Sequence, residues 1–197
     1  MLVYVEFGNR LSSASIEEFH AESQEKFVDP QGDDHLILNL ARTWRLGPTW
    51  DSLSFWANDA DDLKRLDTWD AAVDPYTAPL RQFRKVTRIV RAGFYKPLFA
   101  PAPGNAPFFY IEFTQPRSRS GAARLTALRR RAEALGEGIE LVAGLERIGM
   151  LGPDPGDLVI WGLDQLSRIE RFSAAEKGSE ESIEVAGVYA RYGKEYT

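Results

Sequence analysis

The tetrapeptide Tyr4-Val5-Glu6-Phe7 returns as Tyr110-Ile111-Glu112-Phe113. In both copies apolar and polar residues alternate with the period of two that marks a half-buried strand. The elements that follow each copy come in the same order, so one supersecondary unit is used twice along 197 residues. A repeat this long is no solenoid. It constrains the fold more than any other feature, because each half has to bury its apolar face against a near-copy of itself.

In the first half, the alternation predicts a strand over Leu2–Phe7. Ser12, Ser13 and Ser15 offer helix caps, and Glu18 stands three residues after Ser15 as a capping-box partner. That helix runs to about Phe27 and stops at Asp29-Pro30, with Ile16, Phe19, Ser23 and Phe27 on its inward stripe. A hairpin of His35–Leu46 and Trp50–Trp56 follows, broken by Gly47-Pro48. A second helix over about 60–70, an extra helix over about 75–85 and a strand over Val86–Tyr95 complete the unit. The segment 99–107 holds three prolines and a glycine and reads as an extended linker. The pattern then restarts: a strand at Phe109–Phe113, a helix at Ser120–Leu135, strands at Ile139–Leu151 and Asp157–Trp161, a helix at Asp164–Phe172 and a strand at Ile183–Arg191.

Each half therefore reads β-α-β-β-α-β, the ferredoxin-like motif. One such sheet carries helices on one face and leaves the other bare, and two sheets solve this by packing together or closing. The expected class is α+β: two tandem ferredoxin-like units packed as an intrachain dimeric α/β barrel. The expected divisions are 1–98 and 108–197, with 99–107 between them.

Composition narrows the function. A formal net charge of -5 argues against a general nucleic-acid binder, which must neutralise phosphates. The absence of cysteine excludes a disulfide scaffold, thiolate metal sites and a cysteine nucleophile. No apolar run reaches the roughly 18 residues of a membrane helix, and no signal-peptide pattern opens the chain, so a cytoplasmic protein is expected. Dinucleotide, P-loop, nucleophile-elbow and paired-histidine motifs are all missing from the sequence.

The first helix, Ile16-Glu-Glu-Phe-His-Ala-Glu-Ser-Gln-Glu-Lys-Phe-Val-Asp-Pro30, resembles that of EthD-like and NIPSNAP-like proteins. In topology nearly the whole chain resembles the dimeric α/β-barrel superfamily, which also holds antibiotic-monooxygenase-like members, here in a tandem form. The resemblance implies a cavity for a small molecule. It leaves the chemistry open among cofactor-free monooxygenases, haem enzymes, isomerases, cyclases and proteins without turnover.

Aligning the two Leu-Gly-Pro corners pairs Arg42 with Arg147 and Trp56 with Trp161. Tyr4 and Glu6, like Tyr110 and Glu112, are expected to point into the space between the sheets, with Glu6–Arg42 and Glu112–Arg147 as ion pairs. A feature kept in both halves suits architecture, and one present in a single half suits function. His20 is such a feature: the corresponding stretch 122–128 has no histidine. It suits acid/base work near neutrality, with Glu6 and Tyr4 as further proton-transfer groups. Arg42, Trp44, Trp56, Tyr76 and Phe83 are the expected substrate-binding residues, for an apolar or aromatic molecule. His35, after an acidic turn, reads as surface. The arginines Arg117, Arg119, Arg124, Arg129, Arg130 and Arg131 read as a solvated helix face. The expected function is a small-molecule enzyme working by acid/base chemistry without cofactor or metal, as an isomerase, cyclase, lyase or monooxygenase. The alternatives are a non-catalytic binding or structural pseudo-dimer and a haem enzyme with His20 as axial ligand. Homo-oligomerisation is left open.

Overall fold

The computed structural model describes residues 1–15, 17–18, 36–42, 50–59, 85–115, 120–151, 156–175 and 182–191. Eight antiparallel strands close into a barrel: β1 (Leu2–Arg10), β2 (Leu36–Arg42), β3 (Ser52–Asn58), β4 (Thr87–Pro97), β5 (Phe108–Thr114), β6 (Ile139–Leu151), β7 (Asp157–Leu163) and β8 (Ile183–Arg191). The order around it is β1-β3-β2-β8-β5-β7-β6-β4. Each half contributes its strands in the same order, β4-β1-β3-β2 and β8-β5-β7-β6. The halves meet at two seams, β2–β8 and β4–β6, so the closed barrel leaves no strand edge open. Even the irregularities repeat. The register slips after Phe7 and after Phe113, and again between Leu36 and Leu38 and between Leu141 and Ala143.

In the second half α1 (Gly121–Leu135) links β5 to β6, and a 3-10 turn (Leu166–Ile169) leads into α2 (Glu170–Ala175) before β8. The Ser120 hydroxyl accepts from the Ala123 N–H at the start of α1, and Gly136 ends it at φ +77°, donating its N–H to the Ala132 carbonyl. In the first half the capping box forms as expected: the Ser15 N–H donates to the Glu18 carboxylate at 2.8 Å and the Glu18 N–H to the Ser15 hydroxyl at 3.0 Å. The rest of that helix and the helices expected over 60–70 and 75–85 lie outside the described residues.

The barrel wall separates two apolar clusters. Inside are Val3, Val5 and Phe7 of β1 and Phe109, Ile111 and Phe113 of β5, with Leu40, Leu53, Phe55 and Tyr189. Phe7 and Phe113 both pack on Trp50, with ring centroids 4.9 Å apart in each pair. Outside, Tyr110, Val159, Trp161 and Val188 pack against Leu128 and Leu135 of α1 and Phe172 of α2. This corrects the expected facing of the first strands: the purely apolar row faces the barrel interior, and the Tyr–Glu row faces outward, toward the helices in the second half. The physical reason is closure. An eight-stranded barrel is just wide enough for its own side chains, so its interior takes mostly apolar ones. An amphipathic helix can bring a polar partner to the outer face.

Candidate functional site

The outer face of the second half is closed by ion pairs. Glu112 on β5 is 0% exposed. Arg131 of α1 donates to its two oxygens at 2.7 and 2.6 Å, and the Trp161 indole N–H donates at 3.1 Å. The guanidinium also lies over the rings of Trp161 and Phe172, 5.2 and 5.6 Å from their centroids. Tyr110 packs on Phe172 with ring centroids 4.4 Å apart and planes tilted by 45°. Further along the same helix, Arg124 pairs with Asp157 of β7 and donates to the Thr114 hydroxyl. Two guanidinium groups from one helix thus neutralise two carboxylates of the sheet, and aromatic rings pack beside them.

The expected Glu112–Arg147 pair is therefore replaced by Glu112–Arg131. Arg147 is exposed, and its backbone N–H donates to Asp157 at 2.8 Å. The arginine cluster is likewise only in part a solvated face: Arg129 and Arg130 are exposed, while Arg124 is buried and Arg131 nearly so. Spacing held the missed signal, because Arg131 sits three residues after Leu128 and four before Leu135, on the buried stripe of the helix.

The expected Glu6–Arg42 pair is corrected too. Arg42 follows Leu38 and Leu40 on the inward alternation of β2 and pairs with Asp51 at 2.7 Å. It stands opposite Tyr189 across the β2–β8 seam, as Arg147 stands opposite Tyr95 across the other. The recurring arginines thus mark the two joints between the halves. Asp51, which sequence reading passed over, ties Arg42 to β1 by also accepting from the Arg10 N–H at 2.9 Å.

Among the described residues, the barrel interior is filled mainly by apolar side chains. An apolar crevice of about 10 Å³ lies among Val3, Leu38, Phe55, Pro101, Val142 and Ile160. That is below the roughly 300–1,000 Å³ of ordinary ligand sites, and no carboxylate or imidazole of the described residues lines it. Tyr189, fully buried in the interior, has its phenol pushed above its ordinary value, chiefly by burial and further by Asp51, against the pull of Arg42. Glu6 and Tyr4 face outward, so they do not line the barrel interior as expected.

What remains is the outer face of the first half. Phe94, Tyr4 and Trp56 form one cross-strand row there, all half-buried, with Tyr4 and Phe94 at a centroid distance of 5.1 Å. It matches the row Val188, Tyr110 and Trp161 of the second half. The next row holds Ala92, Glu6, Ser54 and Asn39, where the second half has Ala186, Glu112, Val159 and Gly144. The first half is therefore more aromatic at one level and more polar at the next. Tyr4, Glu6 and Trp56 share this outer face, not the space between the sheets where Tyr4 and Glu6 were expected. Arg42 does not join them. His20, Trp44, Tyr76 and Phe83 lie outside the described residues, as does His35. Among the described residues, no helix is long and apolar enough to cross a membrane.

No protein-family model and no curated protein sequence matches the chain. Solved structures do match over almost its full length. A heme-binding protein from Thermus thermophilus shares 11% identity at a TM-score of 0.58, covering 98% of this chain and 92% of that one. A chlorite dismutase variant from Candidatus Nitrospira defluvii, solved with cyanide, shares 10% at 0.57, covering 97% and 90%. An anthrone oxidase-like protein shares 14% at 0.53, covering 97% and 90%. The chain has the dimeric α/β-barrel fold of these structures. The expectation of a cofactor-free protein is corrected by the same likeness: the fold is shared with a heme-binding protein, so it gives no ground for excluding haem.

Proposed function

We propose that this chain, built of two tandem ferredoxin-like units, binds a flat aromatic small molecule on the outer face of its first-half sheet. Haem is the first ligand to test, and oxidation is the expected class of chemistry. The observation that carries this reading is the difference between the two outer faces. In the second half the Glu112–Arg131 pair, Trp161, Tyr110 and Phe172 fill the space against the helices, an arrangement that does not fit a macrocycle. In the first half the corresponding row presents three half-buried rings, Tyr4, Trp56 and Phe94, and flat apolar ligands pack on such surfaces. The known structures of this fold add support, since one is a heme-binding protein and another an anthrone oxidase-like protein.

On this reading Tyr4, Trp56 and Phe94 pack against the ligand and exclude water from one of its faces. Glu6 holds or moves a proton at the ligand's edge. His20 is the acid/base group or, with haem, the iron ligand, imidazole being a common axial ligand. Bound haem would supply one-electron and oxygen chemistry. Titration of the purified protein with haemin tests the proposal. A saturable change in the visible spectrum and a rise in melting temperature are expected, because a ligand held only by the folded state must stabilise it. No saturable spectral change and no thermal shift would refute haem. The aromatic-ligand reading would then rest on the polycyclic probes described next.

A further inference from the structure

We infer that Asn39 is the residue that selects an oxygen-bearing ligand at the first-half site, its side-chain amide donating to a carbonyl or carboxylate oxygen beside the aromatic row. This rests on the reading of that face as the ligand site. Asn39 and Ser54 are each 3% exposed and are direct cross-strand partners. The Ser54 hydroxyl donates to the Asn39 carbonyl oxygen at 3.2 Å. The amide nitrogen is buried with no hydrogen-bond partner among the described residues. An orphaned buried N–H is costly, and native structures rarely tolerate one unless something else accepts from it.

The second half shows what this position becomes where no ligand is held. Gly144 and Val159 stand at the corresponding register, and Leu128 of α1 packs so close that a Cβ on Gly144 would lie 3.1 Å from its methyl. Apolar closure serves architecture there, while the first half keeps a hydroxyl and an amide in the same two places. Asn39 is in the row next to Trp56 and Tyr4, since Ser54 pairs with Glu6 and Trp56 with Tyr4. A ligand lying on the rings would therefore bring its edge to the amide. The ligand class is a fused aromatic with an oxygen acceptor at its edge, as in a quinone or an aryl ketone.

Two soluble probes differ only in that acceptor: anthraquinone-2-sulfonate carries ring carbonyls and anthracene-2-sulfonate carries none. Their binding to the full chain can be followed by fluorescence and calorimetry. Wild-type protein is expected to bind the quinone about tenfold more tightly, the equivalent of one buried hydrogen bond. Asn39→Leu is expected to erase that preference while still binding the hydrocarbon. If Asn39→Leu fails to fold, Asn39→Ala, which removes the same donor without adding volume, decides the question. Equal binding of both probes by the wild type, or a preference that survives these substitutions, overturns the role of Asn39 and leaves the site standing. If neither probe binds and haemin is silent as well, the site itself falls, and this inference with it.

Discussion

Replacing Arg131 by methionine should cost the protein about 3–5 kcal/mol, the usual penalty for leaving one partner of a buried ion pair alone. The structure supports the upper part of that range. Glu112 is 0% exposed, and two of its three described side-chain hydrogen bonds come from Arg131. Methionine keeps most of the length of the arginine stem but loses the guanidinium that lies over Trp161 and Phe172, so that contact is part of the loss. What also changes is that a buried carboxylate keeps the Trp161 indole N–H but loses its guanidinium. Domains are stable by only about 5–15 kcal/mol, so the variant should sit near the edge of folding. In urea, with a slope of about 2 kcal/mol/M, the midpoint should fall by about 1.5–2.5 M with the slope unchanged. The companion Glu112→Gln/Arg131→Met removes the charge on both sides and leaves an amide oxygen to accept from Trp161. It should recover to within about 1–2 kcal/mol of the parent, as neutralised buried pairs do. A cost below about 1 kcal/mol for Arg131→Met, the scale of an exposed pair, would refute the account, as would a double variant no better than the single.

Tyr189→Phe should stabilise the protein slightly at neutral pH, because the Tyr189 hydroxyl is buried with no hydrogen-bond partner among the described residues. The same variant should flatten the alkaline limb of stability. The phenol is raised above its ordinary 10.0, so the folded state keeps a proton that the unfolded state loses, and stability falls as pH rises past 10 in the parent alone. Glu140→Gln should raise the melting temperature at pH 7 but not at pH 4. Partial desolvation of this largely exposed carboxyl raises it above 4.5, against the pull of Arg191, so its small contribution is full below the ordinary value and is lost as pH rises through the folded one. His20→Ala should abolish the haemin-induced absorption band while leaving the melting temperature of the free protein unchanged. A band of parental strength in that variant would remove His20 from the site.

Period-two alternation and the doubled Tyr-x-Glu-Phe pattern are properties of the chain, and they determined the strands, their number and their repetition. β6 and β8 span the residues that alternation and turn chemistry mark out, Ile139–Leu151 and Ile183–Arg191. The Ser15–Glu18 capping box was equally legible, because its partners are three residues apart. Alternation has no sign, however: it separates two faces without saying which becomes the inside. Closure of the barrel decided that, and it sent Val5 and Ile111 inward and Glu6 and Glu112 outward, reversing the facing expected from one sheet considered alone.

Partner choice was decided by the tertiary structure for the same reason. A buried glutamate demands a cation, and the chain holds arginines on both strand and helix. The docking of α1 on the outer face brought Arg131 to Glu112, while the seam register carried Arg42 to Tyr189 and Arg147 to Tyr95. The candidate site was legible only as residue types, an aromatic row beside a carboxylate. That Asn39 and Ser54 stand in the next row depends on β2 lying against β3 in one register. Hydrogen bonding between distant segments fixes that register, and no local pattern in either segment encodes it.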